Sequence, residues 1–410
     1  MRKAGAYRIY LIMEGSTAFL FSMIFTASSV YQVTVAGLTP LQLVLVGTTL
    51  ETVAFLFEVP TGVVADVYSR RLSIIIGMFL IGAGFIIEGS FPLFWTILLA
   101  QLFWGVGYTF TSGATQAWIT DEIGEAAAGR AFLRSNQVGN LTALLGIGLG
   151  ILLGSLRVSY PIQLGGLGLI LLGVFLLALM PETGFTPLPR EERNSWQSMV
   201  HTFRQGLHTV RQRPTLMSIL SIGFIYGLYS EGLDRLWTKH LLDNFVLPWS
   251  QVLQPVVWIG IIRMAGLLIA VGATEVARRR LDTQNFANVA RTLMGITALL
   301  VVALFTFALA RVFVLAVLAY WLVDISRNVI GPIYTAWVNQ RLDSGVRATV
   351  LSMSSQVDAI GQIAGGPLVG WIGSALSVRA ALVTSSLILA PILGLYGRLS
   401  RRGPEAEIAA

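Results

Sequence analysis

Cysteine is absent from the chain. Without it there is no disulfide framework, no thiolate nucleophile and no cysteine-bound metal. Histidine is scarce, with three residues: His201 and His208 take the polar side of one hydrophilic segment and His240 stands alone, which is no metal-ligand set. No Gly-x-x-x-x-Gly-Lys loop occurs to cradle nucleotide phosphates, so ATP-driven chemistry has no site. No cofactor or metal is therefore expected, and an enzyme reading is left without a catalytic constellation.

Charge is the next thing in short supply. Only 12% of the 410 residues are charged while 55% are hydrophobic, more apolar surface than one soluble core can hide. A helix needs about 20 apolar residues to cross a hydrocarbon layer, and runs of that kind recur near 8–34, 40–65, 72–90, 93–120, 131–154, 160–180, 215–242, 250–277, 288–310, 312–339, 347–373 and 377–397. None alternates with period two, which argues against a membrane barrel. The expected fold class is an all-α membrane protein with twelve transmembrane helices. The first run shows no small-residue cleavage site, so no cleavable signal peptide is expected.

The net charge of +7 would suit a nucleic-acid partner if it were clustered on one face. Instead most Lys and Arg fall on one side of an even-numbered topology, as in Arg70–Arg71, Arg278–Arg280 and Arg398–Arg402, and only Arg157, Lys239, Arg311 and Arg379 fall in the opposite loops. That asymmetry is the positive-inside rule. It implies a lipid bilayer rather than nucleic acid, a multi-pass protein of the cell inner membrane, and both termini in the cytoplasm.

Residues 181–214 form the one long hydrophilic interruption and divide the spans into halves at 1–180 and 215–410. Within it Trp196, Met199, Val200, Phe203, Leu207 and Val210 recur at helical spacing, which predicts an amphipathic helix on the inner membrane surface or a plain linker. The halves echo each other: "AWITDEIGEAAAGRAFLRSNQV" at 117–138 aligns at constant offset with "AWVNQRLDSGVRATVLSMSSQV" at 336–357. Two six-span repeats around a midplane site is a transporter plan.

The second span ends in "GVVADVYSRR", residues 62–71. Gly62, Asp66, Ser69, Arg70 and Arg71 resemble the Gly-x-x-x-Asp-x-x-Gly-Arg-Arg loop of the major facilitator superfamily, with Ser69 in place of the second glycine. The resemblance implies two pseudo-symmetric six-helix bundles and a gating latch formed by Gly62, Asp66, Arg70 and Arg71, with Asp121 and Arg130 as companion charges. It also implies alternating access and monomeric function. The arginines are expected to anchor in lipid headgroups.

Ionisable side chains within spans cost at least about 2.5–3.5 kcal/mol each unless paired or wetted. Glu51, Arg263, Asp324 and Asp358 each lie about 17–20 Å along their helices from one end, near mid-depth. Helical spacing collects polar stripes on four spans: Glu14, Thr17, Phe21, Ser28 and Gln32 on the first; Gln101, Trp104, Tyr108, Ser112 and Thr115 on the fourth; Gly227, Ser230, Glu231, Asp234 and Thr238 on the seventh; Asp324, Arg327, Asn328, Gly331 and Thr335 on the tenth. In the superfamily these four spans line the central cavity, so the stripes predict one cavity for a small-molecule substrate.

Candidate cavity residues are Phe21, Gln101, Trp104, Tyr108, Tyr226, Glu231, Asp234, Arg235, Arg263, Arg327 and Asn328. Glu14, Glu51, Glu58, Asp324 and Asp358 are candidates for a coupling proton, since a desolvated carboxylate can exchange one with a cavity. For Glu51 and Glu58 a purely structural pairing stays open, and for Asp324 so does a local ion pair with Arg327. Glycines 146, 148, 150 and 154, and those of "GQIAGGPLVG" at 361–370, read as helix-packing contacts.

Within the superfamily the chain is most similar to bacterial drug:proton antiporters of the tetracycline and macrolide efflux type. Gln101 stands before Gly105 where that branch has arginine, and the fifth span lacks its Gly-Pro pair. The resemblance implies proton-coupled efflux of amphiphilic or cationic compounds, the alternative being a proton- or sodium-coupled nutrient or lipid transporter.

Overall fold

The structure is a computed structural model and describes residues 2–187, 214–280, 285–339 and 344–401. The amphipathic segment expected around 196–210, with His201 and His208, lies outside the described residues. So does part of the second echo segment, at 340–343.

Among the described residues there are thirteen helices and no strands. They are α1 (Arg2–Thr34), α2 (Pro40–Val67), α3 (Arg70–Ser90), α4 (Phe94–Thr111), α5 (Ala114–Ile123), α6 (Glu125–Leu156) and α7 (Tyr160–Leu179). After the hydrophilic segment come α8 (Pro214–Asn244), α9 (Pro255–Arg280), α10 (Phe286–Leu309), α11 (Phe313–Asn339), α12 (Ser344–Ala375) and α13 (Val378–Arg401). Ten of these are long and apolar enough to cross a membrane. The exceptions are α4 and α5, which share the fourth span, and α12, whose sequence is rich in serine and carries Asp358.

The single run read at 93–120 is two helices. Gly113 sits at φ +69, in the left-handed region that glycine tolerates, and the chain breaks between Ser112, which caps α4 through its backbone N–H to Tyr108 O, and Ala114. Elsewhere the exposed faces are apolar, with Leu141, Leu145, Leu152 and Leu156 outward on α6 and Leu164, Leu171 and Leu177 outward on α7. Such a surface suits lipid, where every backbone group must bond within its own helix.

The helices form two compact units. The first holds residues 2–38, 49–187 and 249–263; the second holds 39–48, 214–248 and the described residues from 264 onward. The units thus depart from the halves 1–180 and 215–410 at two short stretches, the start of α2 and the start of α9.

Inside the first unit α1 packs on α6 and α7, and α3 packs on α4 and α7. Inside the second, α8 packs on α12 and α13, and α10 packs on α11 and α13. Numbered from the start of each half, these are the same pairs.

The close pairs meet through glycine. A Cβ on Gly146 of α6 would strike the Phe19 carbonyl of α1, and one on Gly150 would come 2.9 Å from the Met23 carbonyl. In the second unit Gly361 and Gly365 of α12 stand in the same way against the carbonyls of Phe224 and Leu228 on α8. Gly82 of α3 and Gly166 of α7 face each other's carbonyls, each 2.6 Å from an added Cβ. Small residues let membrane helices approach where no hydrophobic force drives them together, and Gly146, Gly150, Gly361 and Gly365 do what the packing interpretation expected.

Candidate functional site

In the second unit α8, α11 and α12 enclose a cavity of about 650 Å³. Tyr226, Tyr229, Ser230 and Asp234 reach it from α8, Arg327, Gly331, Tyr334 and Thr335 from α11, and Ser355, Asp358 and Gln362 from α12. The size is that of a small-molecule site.

Its charged centre joins two helices. Arg327 makes a bidentate bond to Asp234, Nη2 donating to Oδ2 at 2.9 Å and Nη1 to Oδ1. The same guanidinium lies over the ring of Tyr229, 5.9 Å from its centroid, where a cation is attracted by the negative face. Arg327 thus has an ion-pair partner on a different helix, and Asp324 lies beside Gly266.

Around this pair two of the tyrosines, Tyr226 and Tyr334, are fixed by their hydroxyls. Tyr226 Oη lies 2.8 Å from Thr297 Oγ1, and Tyr334 Oη donates to Ile219 O at 2.9 Å. Asp358 Oδ2 accepts from Gln362 Nε2 one turn on, at 2.8 Å. Two carboxyl side chains, Asp234 and Asp358, thus share the wall with one guanidinium, Arg327.

The stripes predicted on the seventh and tenth spans are rotated slightly from the observed lining. Ser230, Asp234, Arg327, Gly331 and Thr335 face the cavity, whereas Glu231 and Asn328 do not line it. Glu231, 3% exposed, pairs instead with Arg235, whose Nε donates to Oε1 at 2.8 Å. Gly47, in the part of α2 that belongs to this unit, makes room for the pair, since a Cβ there would overlap the Glu231 carboxylate. Asn328 donates to Asp324 O on its own helix at 2.8 Å.

The first unit collects its predicted residues differently. Phe21 and Trp104 sit with Phe25 and Phe85 in one aromatic cluster, ring centroids 5.2–6.3 Å apart. Gln101 is buried and donates to Glu88 Oε2 at 3.3 Å. Glu88, 1% exposed, also accepts from Ser28 Oγ at 2.6 Å and Gln32 Nε2 at 2.8 Å. Glu58 is exposed and accepts from Ser112 Oγ at 3.3 Å; Tyr108, half exposed, lies in electrostatic contact with Glu58 and Glu51. Glu14 lies half-buried near Tyr10, and Arg263 is half-buried at the border of this unit.

The loop motif closes into a network within the first unit. Arg70 pairs with Asp121 at the end of α5 and lies 3.9 Å from Asp66. Arg71 donates to the Leu177 carbonyl in the last turn of α7 at 2.6 Å. Both arginines bond protein groups, Arg70 a carboxylate and Arg71 a helix-end carbonyl. Arg130 is exposed with no ion-pair partner among the described residues.

Ser69 explains its own departure from the motif: with φ −175 it needs no glycine, and its Oγ caps α3 by accepting from Leu72 N at 2.8 Å. It also donates to Glu182 Oε2 at 2.6 Å, while Glu182 Oε1 accepts from Arg71 N at 2.9 Å. Glu122 accepts from Thr183 N, Thr183 Oγ1 and Gly184 N at 2.5–2.8 Å. The chain leaving α7 is thereby tied to the loop.

Two matching units of membrane-crossing helices, with a charged cavity inside one and a Gly-x-x-x-Asp loop in the other, define a multi-pass membrane carrier. The sequence model of the Major Facilitator Superfamily matches residues 10–355, and the chain belongs to that family. It is a secondary transporter of small molecules, not an enzyme.

A curated relative, the "Uncharacterized MFS-type transporter YxaM" of Bacillus subtilis (strain 168), is 23% identical over 360 residues, 87% of this chain and 86% of that one. Among solved structures the nucleoside transporter NupG superposes with a TM-score of 0.78 at 14% identity, covering 97% of this chain and 99% of that one. An inward-facing, unoccupied bacterial homolog of the human lysosomal transporter Spinster gives 0.75 at 13%, covering 98% and 97%. At such identities the likeness speaks for the fold alone.

Proposed function

We propose that the protein exports amphiphilic, cationic small molecules in exchange for protons, by alternating access, as a monomer in the cell inner membrane with both termini in the cytoplasm. The observation that carries this reading is the Asp234–Arg327 pair on the wall of a cavity that also holds Asp358 and three tyrosine side chains. A flat cation can lie on the tyrosine faces and compete with Arg327 for Asp234. Of the five carboxylates considered for coupling, Glu14, Glu51, Glu58, Asp324 and Asp358, only Asp358 lines this cavity, so it is the preferred exchanger of a proton against substrate.

The loop residues Gly62, Asp66, Arg70, Arg71 and Asp121 act as the gating latch. Arg130, exposed on α6, joins it only in another state of the cycle.

A second reading, proton- or sodium-coupled uptake of a polar solute such as a nucleoside, draws on the hydrogen-bonding groups of the same wall: Arg327, Gln362 and the serines. Proteoliposomes with an imposed pH gradient separate the two. The expected result is gradient-driven movement of ethidium and none of uridine, with ethidium flux reduced about tenfold or more, ~1.4 kcal/mol, in Asp358→Asn and Arg327→Gln. Uridine flux with no ethidium flux would transfer the assignment to uptake. Ethidium flux unchanged in both variants would remove the cavity from the transport path.

A further inference from the structure

The hydrogen-bonding capacity of the charged cavity is spent unevenly. Both oxygens of Asp234 are taken by Arg327, Tyr334 Oη donates to Ile219 O at 2.9 Å, and Ser230 Oγ donates to Gly227 O at 3.0 Å. Asp358 and Gln362, one turn apart on α12, line the same cavity half-buried and keep more in hand. Gln362 Nε2 donates to Asp358 Oδ2 at 2.8 Å, and no other hydrogen bond or ion pair engages either side chain among the described residues. A carboxylate has only acceptors to offer, and the amide oxygen is another. Asp358 Oδ1 and Gln362 Oε1 therefore make an acceptor pair to which the protein supplies no donor.

The pair stands on fixed backbone. A Cβ on Gly227 of α8 would overlap the Asp358 carbonyl and come 3.0 Å from Gln362 N, so α8 lies flush against this turn of α12. Acceptors held by such packing lose little freedom when a ligand arrives. Elsewhere the Asp234–Arg327 pair is closed on itself, Leu300, Ile330 and Val338 give the cavity apolar surface, and a Cβ on Gly331 would meet nothing within 4 Å. The complement of this wall is one positive charge that donates hydrogen bonds, carried on an apolar body. Tyrosine faces alone select differently, because a ring attracts a quaternary ammonium as readily as one with N–H groups.

We propose that Asp358 and Gln362 form an amine-recognition subsite, in which Asp358 Oδ1 and Gln362 Oε1 accept from the N–H groups of a protonated primary or secondary amine whose apolar body lies against Leu300, Ile330 and Val338. The subsite narrows the cation class given above and rests on that reading. It makes N–H donation, and not positive charge alone, the property that is selected. A trimethylated nitrogen keeps the charge but covers both acceptors without supplying a donor, and an acceptor left unmade in this way costs binding energy. Ethidium satisfies the rule through its aryl amino groups. Gln362 is the specificity-determining residue, since its amide oxygen meets the substrate nitrogen and adds no charge of its own.

The test is a binding measurement, separate from coupling and from the direction of transport. Full-length protein in lipid nanodiscs is titrated by calorimetry with phenethylamine, its N-methyl derivative and its trimethylammonium derivative, which share one apolar body. The expected result is that the N–H cations bind about tenfold tighter or more than the trimethylated one, and that Gln362→Met, which keeps the length of the side chain, removes most of that difference. Trimethylated ligand bound as tightly as the others by the parent would overturn the subsite and leave the cation reading standing. A difference that survives intact in Gln362→Met would do the same. No binding of any of the three would overturn both. Should Gln362→Met fail to fold, the order of affinities in the parent decides alone.

Discussion

The corner formed by α1, α3 and α4 in the first unit and the corner formed by α8, α10 and α11 in the second occupy the same places in their repeats, but they are filled with different chemistry. The first holds Ser28, Gln32, Glu88 and Gln101, sealed from solvent. The second holds aromatic side chains: Trp237 stacks on Tyr320 at 4.5 Å, Phe307 lies against Tyr320 at 5.7 Å, and His240 Nε2 bonds the Phe307 carbonyl at 2.9 Å. The open cavities differ in the opposite sense. That of the second unit is charged, whereas a cavity of about 490 Å³ bordered by α1, α6 and α7 in the first is lined by apolar residues such as Phe19, Leu20 and Phe175 with Ser16 and Thr142. A repeat therefore constrains how helices touch, through glycine and carbonyl, and leaves each unit free to place its polar groups where its task needs them.

The comparison breaks first if the glycine contacts are not equivalent. Gly146→Leu and Gly365→Leu each drive a side chain into a neighbouring backbone carbonyl, and overpacking of this kind costs 1–3 kcal/mol or more. Both variants are expected to lose most monodisperse protein on size-exclusion chromatography. Loss from one alone would show that the two units are not held together in the same way.

A second test sharpens the contrast between ion pairs. Arg235→Ala strands Glu231, 3% exposed, and breaking such a buried pair costs roughly 3–5 kcal/mol. Arg70→Ala removes a partner from Asp121 and Asp66, which are 26% and 36% exposed, and the loss should be nearer 1 kcal/mol. Thermal midpoints in detergent should rank them in that order; equal midpoints would refute the difference in burial. Ser69→Ala, which removes the cap of α3, should likewise cost about 1 kcal/mol. Ser69→Gly, which restores the family's motif, should not recover it, because the Glu182 bond is lost in both.

Much of this was legible in the sequence. Apolar runs of membrane-crossing length gave the spans, and Gly62 and Asp66 at their spacing gave the family, since both signals are local in the chain. The break at Ser112–Gly113 was hidden because a glycine inside an apolar run also reads as a packing contact; the Ser-Gly dipeptide was its only turn signal. Arg327 showed its stripe but not its partner, because spacing offers Asp324 three residues away while the fold brings Asp234 from another helix. Glu88 went unnoticed at the end of an apolar run, although the Ser28–Gln32 stripe required something polar to face. Glu122 and Glu182, which fasten the chain after α7, are joined to their partners only by tertiary packing.

The absence of native cysteine makes the central contrast directly measurable. Single-cysteine variants Ser355→Cys, on the wall of the second unit's cavity, and Ser28→Cys, in the sealed cluster, are treated in liposomes with a water-soluble maleimide. Ser355→Cys should react at least tenfold faster, and ethidium should slow it, while Ser28→Cys stays unlabelled. Equal rates at the two positions, or labelling at Ser28→Cys alone, would contradict a wet charged cavity in one unit and a closed polar site in the other.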